Sequence, residues 1–213
     1  MKEQFSTPAA ETHDGTFDVG SATVKELLQK EDWDFVIIND HTQAPVRETS
    51  KQKSLQALQE IYLPIINTSS TTVIFIMTAA YKSPVKASED LGSFDDFTKA
   101  LQKGYDKYSQ IFVPNVKIAP LGTAYQYVRN KYDKATWEKL YAPDDFHPSP
   151  HGTYLEAAIL YCTIVGERPP DYDEAWWKTS RYMKPVMPLP TPEEAELLRT
   201  VACHVCQLPQ SSL

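Results

Sequence analysis

Apolar positions along this chain fall into two rhythms that take turns. Phe35, Val36, Ile37 and Ile38 form an unbroken, largely β-branched run between Asp34 and Asn39, and residues 72–77 form a second. Runs without polar alternation mark strands buried on both faces of a parallel sheet. Residues 116–119 predict a short third strand. Between the strands the apolar spacing lengthens to three or four. Leu55, Leu58, Tyr62 and Ile66 predict a helix over 50–66, and Phe97, Leu101, Tyr105 and Tyr108 predict one over 94–112. Leu27 and Leu28 are the apolar pair of a short helix at 23–30, and 122–130 reads as the helix after the third strand. Two helices close the chain. One covers 152–165, rich in Ala, Leu and Ile; the other starts at Thr191-Pro192-Glu193-Glu194, a capping box with proline at the first helical position. Strands alternating with helices of a dozen residues or more predict α/β architecture with a parallel sheet of βαβ units.

Composition sets bounds on this picture. A chain of 213 residues, 42% apolar and 23% charged, is long enough for one domain with a full core. Residues 1–14 read as a disordered N-terminal tail and 15–213 as the domain, with the proline-rich stretch 185–192 a connector inside it. A net charge of −7 argues against a nucleic-acid or anionic-membrane partner. No apolar run approaches the roughly 20 residues needed to span a bilayer. The polar stretch 1–13 holds no secretory segment, so the cytoplasm is the default compartment, unless a signal lies upstream of Met1. Nothing sets an oligomeric state. Cys203 and Cys206 form a CxxC near the C-terminus, with Cys162 the third cysteine. Packing is the expected use of the pair, since a zinc site needs four ligands and no second pair is present.

Ligands of open α/β sheets bind beyond the carboxyl ends of the strands. Asn39-Asp40-His41-Thr42-Gln43 sits at such a place, although Asn and Asp also end strands for turn reasons. Asp144-Asp145-Phe146-His147-Pro148-Ser149-Pro150-His151-Gly152 carries more. A carboxylate three residues before a histidine, in a loop opening onto a helix, can fix the tautomer of that imidazole and stabilise its charged form during acyl transfer. A surface loop with a helix-capping aspartate explains the same spacing equally well. His147 and His151 with Asp144 make a poor metal set, because Pro148 and Pro150 rule out the regular helix that four-residue spacing would need.

The segment Asp144-Asp145-Phe146-His147-Pro148, followed by Gly152-Thr153-Tyr154-Leu155, resembles the last block of the SGNH (GDSL-type) hydrolases. Trp33-Asp34-Phe35-Val36-Ile37-Ile38-Asn39 resembles the strand that delivers their oxyanion-hole Asn. Gly20-Ser21-Ala22-Thr23-Val24 resembles their glycine block, and Ile118-Ala119-Pro120-Leu121-Gly122 a strand end of one branch. The resemblance implies a three-layer α/β/α fold with a flavodoxin-like parallel sheet. It implies a serine ester hydrolase, of esterase or acetylesterase type, with no cofactor, acting on small esters or acetylated carbohydrates. His147 would be the general base and Asp144 its orienting partner, with Asp145 a competitor disfavoured by family spacing. The Gly20 N–H and the Asn39 side chain would hold the oxyanion, at roughly 3–4 kcal/mol per donor.

The chain departs from the family at the nucleophile. That residue belongs to a Gly-Asp-Ser or Gly-Asn-Ser block at the end of a first strand, and only 19 residues precede Gly20 here. Ser6 lies in a polar stretch, Ser21 suits a helix start, and Ser149 is a loop residue of the family pattern. The expectation is an N-terminally truncated fold whose first strand is missing, with impaired hydrolysis, poor solubility and an exposed edge beside residues 35–38. The contrasting reading is a degenerate fold that binds a ligand without hydrolysing it, for which Trp176, Trp177 and Tyr182 are candidate contacts.

Overall fold

A computed structural model describes residues 11–12, 15–16, 23–30, 32–66, 69–173 and 187–208. Gly20, Ser6, Ser21, Trp176, Trp177 and Tyr182 lie outside the described residues. Across the boundary read between tail and domain, β1 (Glu11–Thr12) pairs antiparallel with β2 (Gly15–Thr16). The main sheet holds β3 (Phe35–Ile38), β4 (Thr72–Ile76) and β5 (Val116–Ala119), all parallel, in the order β3-β4-β5.

β4 is central. Val73, Ile74 and Phe75 are each fully buried, so helices cover both faces of this strand and the domain has three layers. Phe75 faces α4 (Phe94–Ser109), its ring 6.4 Å from Tyr105 and 5.9 Å from Tyr108. Ser93 and Asp96 close a capping box at the start of α4. The opposite face meets α7 (Pro150–Val165), where Lys117 of β5 donates to the Thr163 carbonyl. Packed against α7 is α8 (Pro192–Val205), which begins with the expected Thr191–Glu194 capping box.

The remaining helices are α1 (Val24–Lys30), α2 (Glu48–Ala57), α3 (Pro84–Ala87), α5 (Leu121–Lys131) and α6 (Lys134–Glu138). The helix expected over 50–66 stays α-helical only to Ala57. It then opens into a π-turn, in which the Leu63 N–H reaches back five residues to the Leu58 carbonyl. α3 and α6 have no counterpart in the apolar pattern, being too short to show a period.

One expectation fails for β3. Its residues alternate between exposed and half-buried, with Phe35 40% and Ile37 47% exposed, where burial on both faces was expected. The paired register puts Ile37 beside the fully buried Ile74, so the layer that covers β4 on that face stops short of β3. Among the described residues β3 is also a sheet edge.

Glu156 of α7 is the acid of the helical layer. It accepts from the Tyr125 hydroxyl of α5 at 2.9 Å, and burial pushes its carboxyl up to about 7 against that hydrogen bond.

Folding holds a proton on Glu156 between its ordinary 4.5 and about 7. Stability therefore falls as pH rises through that window and levels off above it. At about 1.4 kcal/mol per unit the fall is roughly 3 kcal/mol. Urea unfolding from pH 4.5 to 8 measures it, and Glu156→Gln flattens the profile. For the β3 edge, Ile37→Lys lowers light scattering of concentrated protein while the melting temperature stays within about 2 °C, because a charge there blunts pairing without removing a core contact.

Candidate functional site

The chain between α6 and α7 is held in shape by its own polar groups. Ala142 N–H donates to His147 O at 2.8 Å and Asp145 N–H to Ala142 O at 3.0 Å, closing a tight turn. Asp145 occupies the left-handed region (φ 67°), which aspartate tolerates better than most residues. Its carboxylate takes Lys82 Nζ and Lys86 Nζ, each at 2.5 Å, and the two ammoniums lower its pKa. Lys82 N–H also donates to the Asp145 carbonyl at 2.9 Å, and the Phe146 ring stands edge-on to Tyr81 at 4.8 Å. The turn is thus pinned to the segment that leaves the carboxyl end of β4.

That pinning leaves Asp144 and His147 on the outside, next to each other. Asp144 Oδ1 accepts from the N–H groups of Phe146 and His147, both at 2.9 Å, and Oδ2 lies 2.6 Å from His147 Nδ1. These bonds, the one from the imidazole first, hold the Asp144 carboxyl down at about 2. The His147 side chain is 79% exposed, so with Nδ1 engaged its Nε2 is left to solvent. The geometry is a base fixed on one nitrogen and available on the other. Asp145, the competitor in the sequence, is committed to lysine.

Ser149 is consumed by structure. Its hydroxyl caps α7, accepting from the N–H of His151 and Gly152, and donates to the Lys139 carbonyl. The helix consequently starts at Pro150, two residues before the expected 152. Gly152 is required here, since a Cβ would stand 2.2 Å from the Leu140 carbonyl oxygen and 2.4 Å from the Tyr125 hydroxyl. His151 turns inward to Glu194 of α8, Nε2 to Oε2 at 3.0 Å, and Lys139 takes the other oxygen at 2.6 Å. The two histidines therefore serve different partners. Among the described residues no group of three His, Cys, Asp or Glu side chains is placed to hold a metal ion.

Asn39 is exposed just beyond β3. Because the three strands are parallel, it shares the carboxyl end of the sheet with residues 77–82, against which the Asp144–His147 turn is docked. Asp40 is structural: its carboxylate accepts from Ser54 at 2.7 Å, Tyr108 at 3.0 Å and the His41 N–H at 2.8 Å. Gly20 lies outside the described residues, and among those residues no serine hydroxyl bonds to His147. Lys82 and Lys86 escaped the sequence reading, and Glu194 was read only as a capping residue, because no local spacing connects them to residues 144–151.

The class defined by these observations is a mixed α/β domain with a three-stranded parallel sheet between helices and a histidine-bearing turn at its carboxyl end. No protein-family model matches the chain, and no curated protein sequence does. Two solved structures share its fold. One is a DUF4886 family protein from Bacteroides uniformis, with a TM-score of 0.67 and 17% identity over 91% of this chain and 70% of that one. The other is a candidate SGNH hydrolase from Slackia heliotrinireducens, with a TM-score of 0.52 and 22% identity over 64% of this chain and 68% of that one. At these identities the likeness is one of fold.

Ser149→Ala strips two N–H groups and a carbonyl of their partner, and is expected to cost about 1–2 kcal/mol in denaturant unfolding. His147→Ala, at an exposed position, stays within about 0.5 kcal/mol of the parent. The contrast checks which of the two hydroxyl- and nitrogen-bearing residues of the turn builds it and which is displayed by it.

Proposed function

We propose that this chain is an SGNH-type ester hydrolase domain in which Asp144 and His147 form the general-base pair. The carrying observation is the Asp144 carboxylate itself, locked by two backbone N–H groups onto His147 Nδ1 with Nε2 left to solvent. A carboxylate held down at about 2 is ionised at any working pH, so it stabilises the imidazolium that forms when Nε2 takes a proton. Asn39 at the same end of the sheet supplies an oxyanion donor, and Gly20 is the second donor of this reading. The fold shared with a candidate SGNH hydrolase supports it.

Small esters and acetylated carbohydrates are the substrate class. The hydroxyl that Nε2 activates is not supplied by Ser149, whose bonds are already made. Turnover is therefore weak, with water or an unassigned hydroxyl as the attacking group. The contrasting reading, a binding protein on the same fold, makes the opposite forecast for a single variant.

Hydrolysis of p-nitrophenyl acetate by the full chain tests this. Slow release of nitrophenolate above buffer is expected, falling at least about tenfold in His147→Ala and in Asp144→Asn, within the range general-base catalysis contributes. Release that is indifferent to both substitutions removes the catalytic role and leaves the binding reading.

A further inference from the structure

We propose that Cys206 and Cys162 form a reversible disulfide, with Cys206 the thiol that reacts first with a hydroperoxide. All three cysteines are free thiols. The sequence joins Cys203 to Cys206, but the fold joins Cys206 to Cys162 on another helix. Cys206 is the C-cap of α8, and its sulfur lies over one turn of α7, 3.9 Å from the Ile159 carbonyl and 3.9 Å from Thr163 Oγ1. Cys162 belongs to that same turn, three residues after Ile159 and one before Thr163. Both residues line an open cavity of about 360 Å³, together with Lys117, Pro120 and Leu208. Cys203, as buried as Cys162, lies within 4.0 Å of the Arg168 guanidinium and does not line that cavity.

The two partners divide the chemistry. Cys206 is half-buried at the cavity and Cys162 only 2% exposed, so a hydroperoxide reaches Cys206 first. The neighbouring sulfur lowers the Cys206 pKa, whereas that neighbour and burial raise the Cys162 pKa. Reactivity follows the thiolate and access to it. The Cys206 thiolate attacks one oxygen of the hydroperoxide, the O–O bond breaks, and the other oxygen leaves as an alcohol or water after taking a proton. The resulting Cys206 sulfenic acid is attacked by Cys162, the S–O bond breaks, and hydroxide leaves with the Cys162 proton as water. Two thiols are oxidised by two electrons in all, and one hydroperoxide is reduced. Cys206 ends a helix and precedes Gln207 in the left-handed region (φ 56°), so the sulfur can close on its neighbour by moving a terminus and not a core.

Hydrogen peroxide is the probe. The full chain is treated at low excess, residual thiols are alkylated, and a tryptic digest is mapped by mass spectrometry. Cys203 and Cys206 share residues 200–213, whereas Cys162 lies on another peptide, so an internal bond separates from a link to Cys162, and fragmentation shows which cysteine of 200–213 carries the alkyl group. The expected product links the two peptides and leaves Cys203 alkylated, and dithiothreitol returns three free thiols. Cys203→Ser retains the link. Cys206→Ser slows thiol oxidation roughly tenfold or more, and Cys162→Ser leaves a sulfenic acid on Cys206 that dimedone captures. An internal Cys203–Cys206 bond, three alkylated thiols, or a link formed only after unfolding in urea overturns the proposal. The mapping of the unaltered chain decides this even where a variant does not fold.

Discussion

A turn without regular secondary structure keeps one shape only when its buried polar groups are all answered, and here a single aspartate bears most of that demand. Asp145 brings a left-handed backbone and a carboxylate with little exposure, and two lysines from the far side of β4 meet it. Removing both lysines would strand a carboxylate that is only 10% exposed, a greater penalty than the net worth of an exposed ion pair. The position of Asp144 and His147 follows from that arrangement. They are displayed because their neighbour is anchored.

From there the constraint spreads into the helical layer. Ser149 ends the turn and begins α7 with one hydroxyl, while His151, in the first turn of the helix, grips Glu194 of α8. Glu194 is at once the capping residue of its own helix and the partner of His151 and Lys139. Its carboxyl, which burial alone would raise, is held down at about 2 by Lys139, the Thr191 N–H and His151. A single carboxylate thus ties the last helix to the start of the helix that leaves the candidate site.

Features carried by contiguous residues were legible in the sequence, and features carried by distant ones were not. The strands at 35–38, 72–76 and 116–119 and the long helices could be read from unbroken or three-to-four-spaced apolar residues. The Asp144–His147 pair was legible because three residues of a turn bring the groups together without help from the rest of the fold. Lys82 and Lys86 were not, since surface lysines are common and only folding brings Lys86 to Asp145 across 59 residues. The nearness of Cys206 to the turn of α7 that holds Cys162 was hidden for the same reason, because only folding lays the end of α8 against Ile159 and Thr163. β3 was misjudged in another way: an apolar run reports what a strand can bury, whereas its neighbours decide what it does bury.

The two margins of the sheet are unlike, and this limits how copies of the chain can join. β5 carries Lys117, tethered to the Thr163 carbonyl and bordering the cavity that Val205 and Leu208 also line. β3 presents Phe35 and Ile37 instead. A margin-to-margin stack that repeats without end needs both sides of the sheet, and among the described residues one of them carries a lysine, a charge that discourages pairing. Union through β3 must therefore pair like with like about a two-fold axis, which uses up the open side of both copies. The asymmetry converts a surface prone to indefinite growth into one whose growth stops at two.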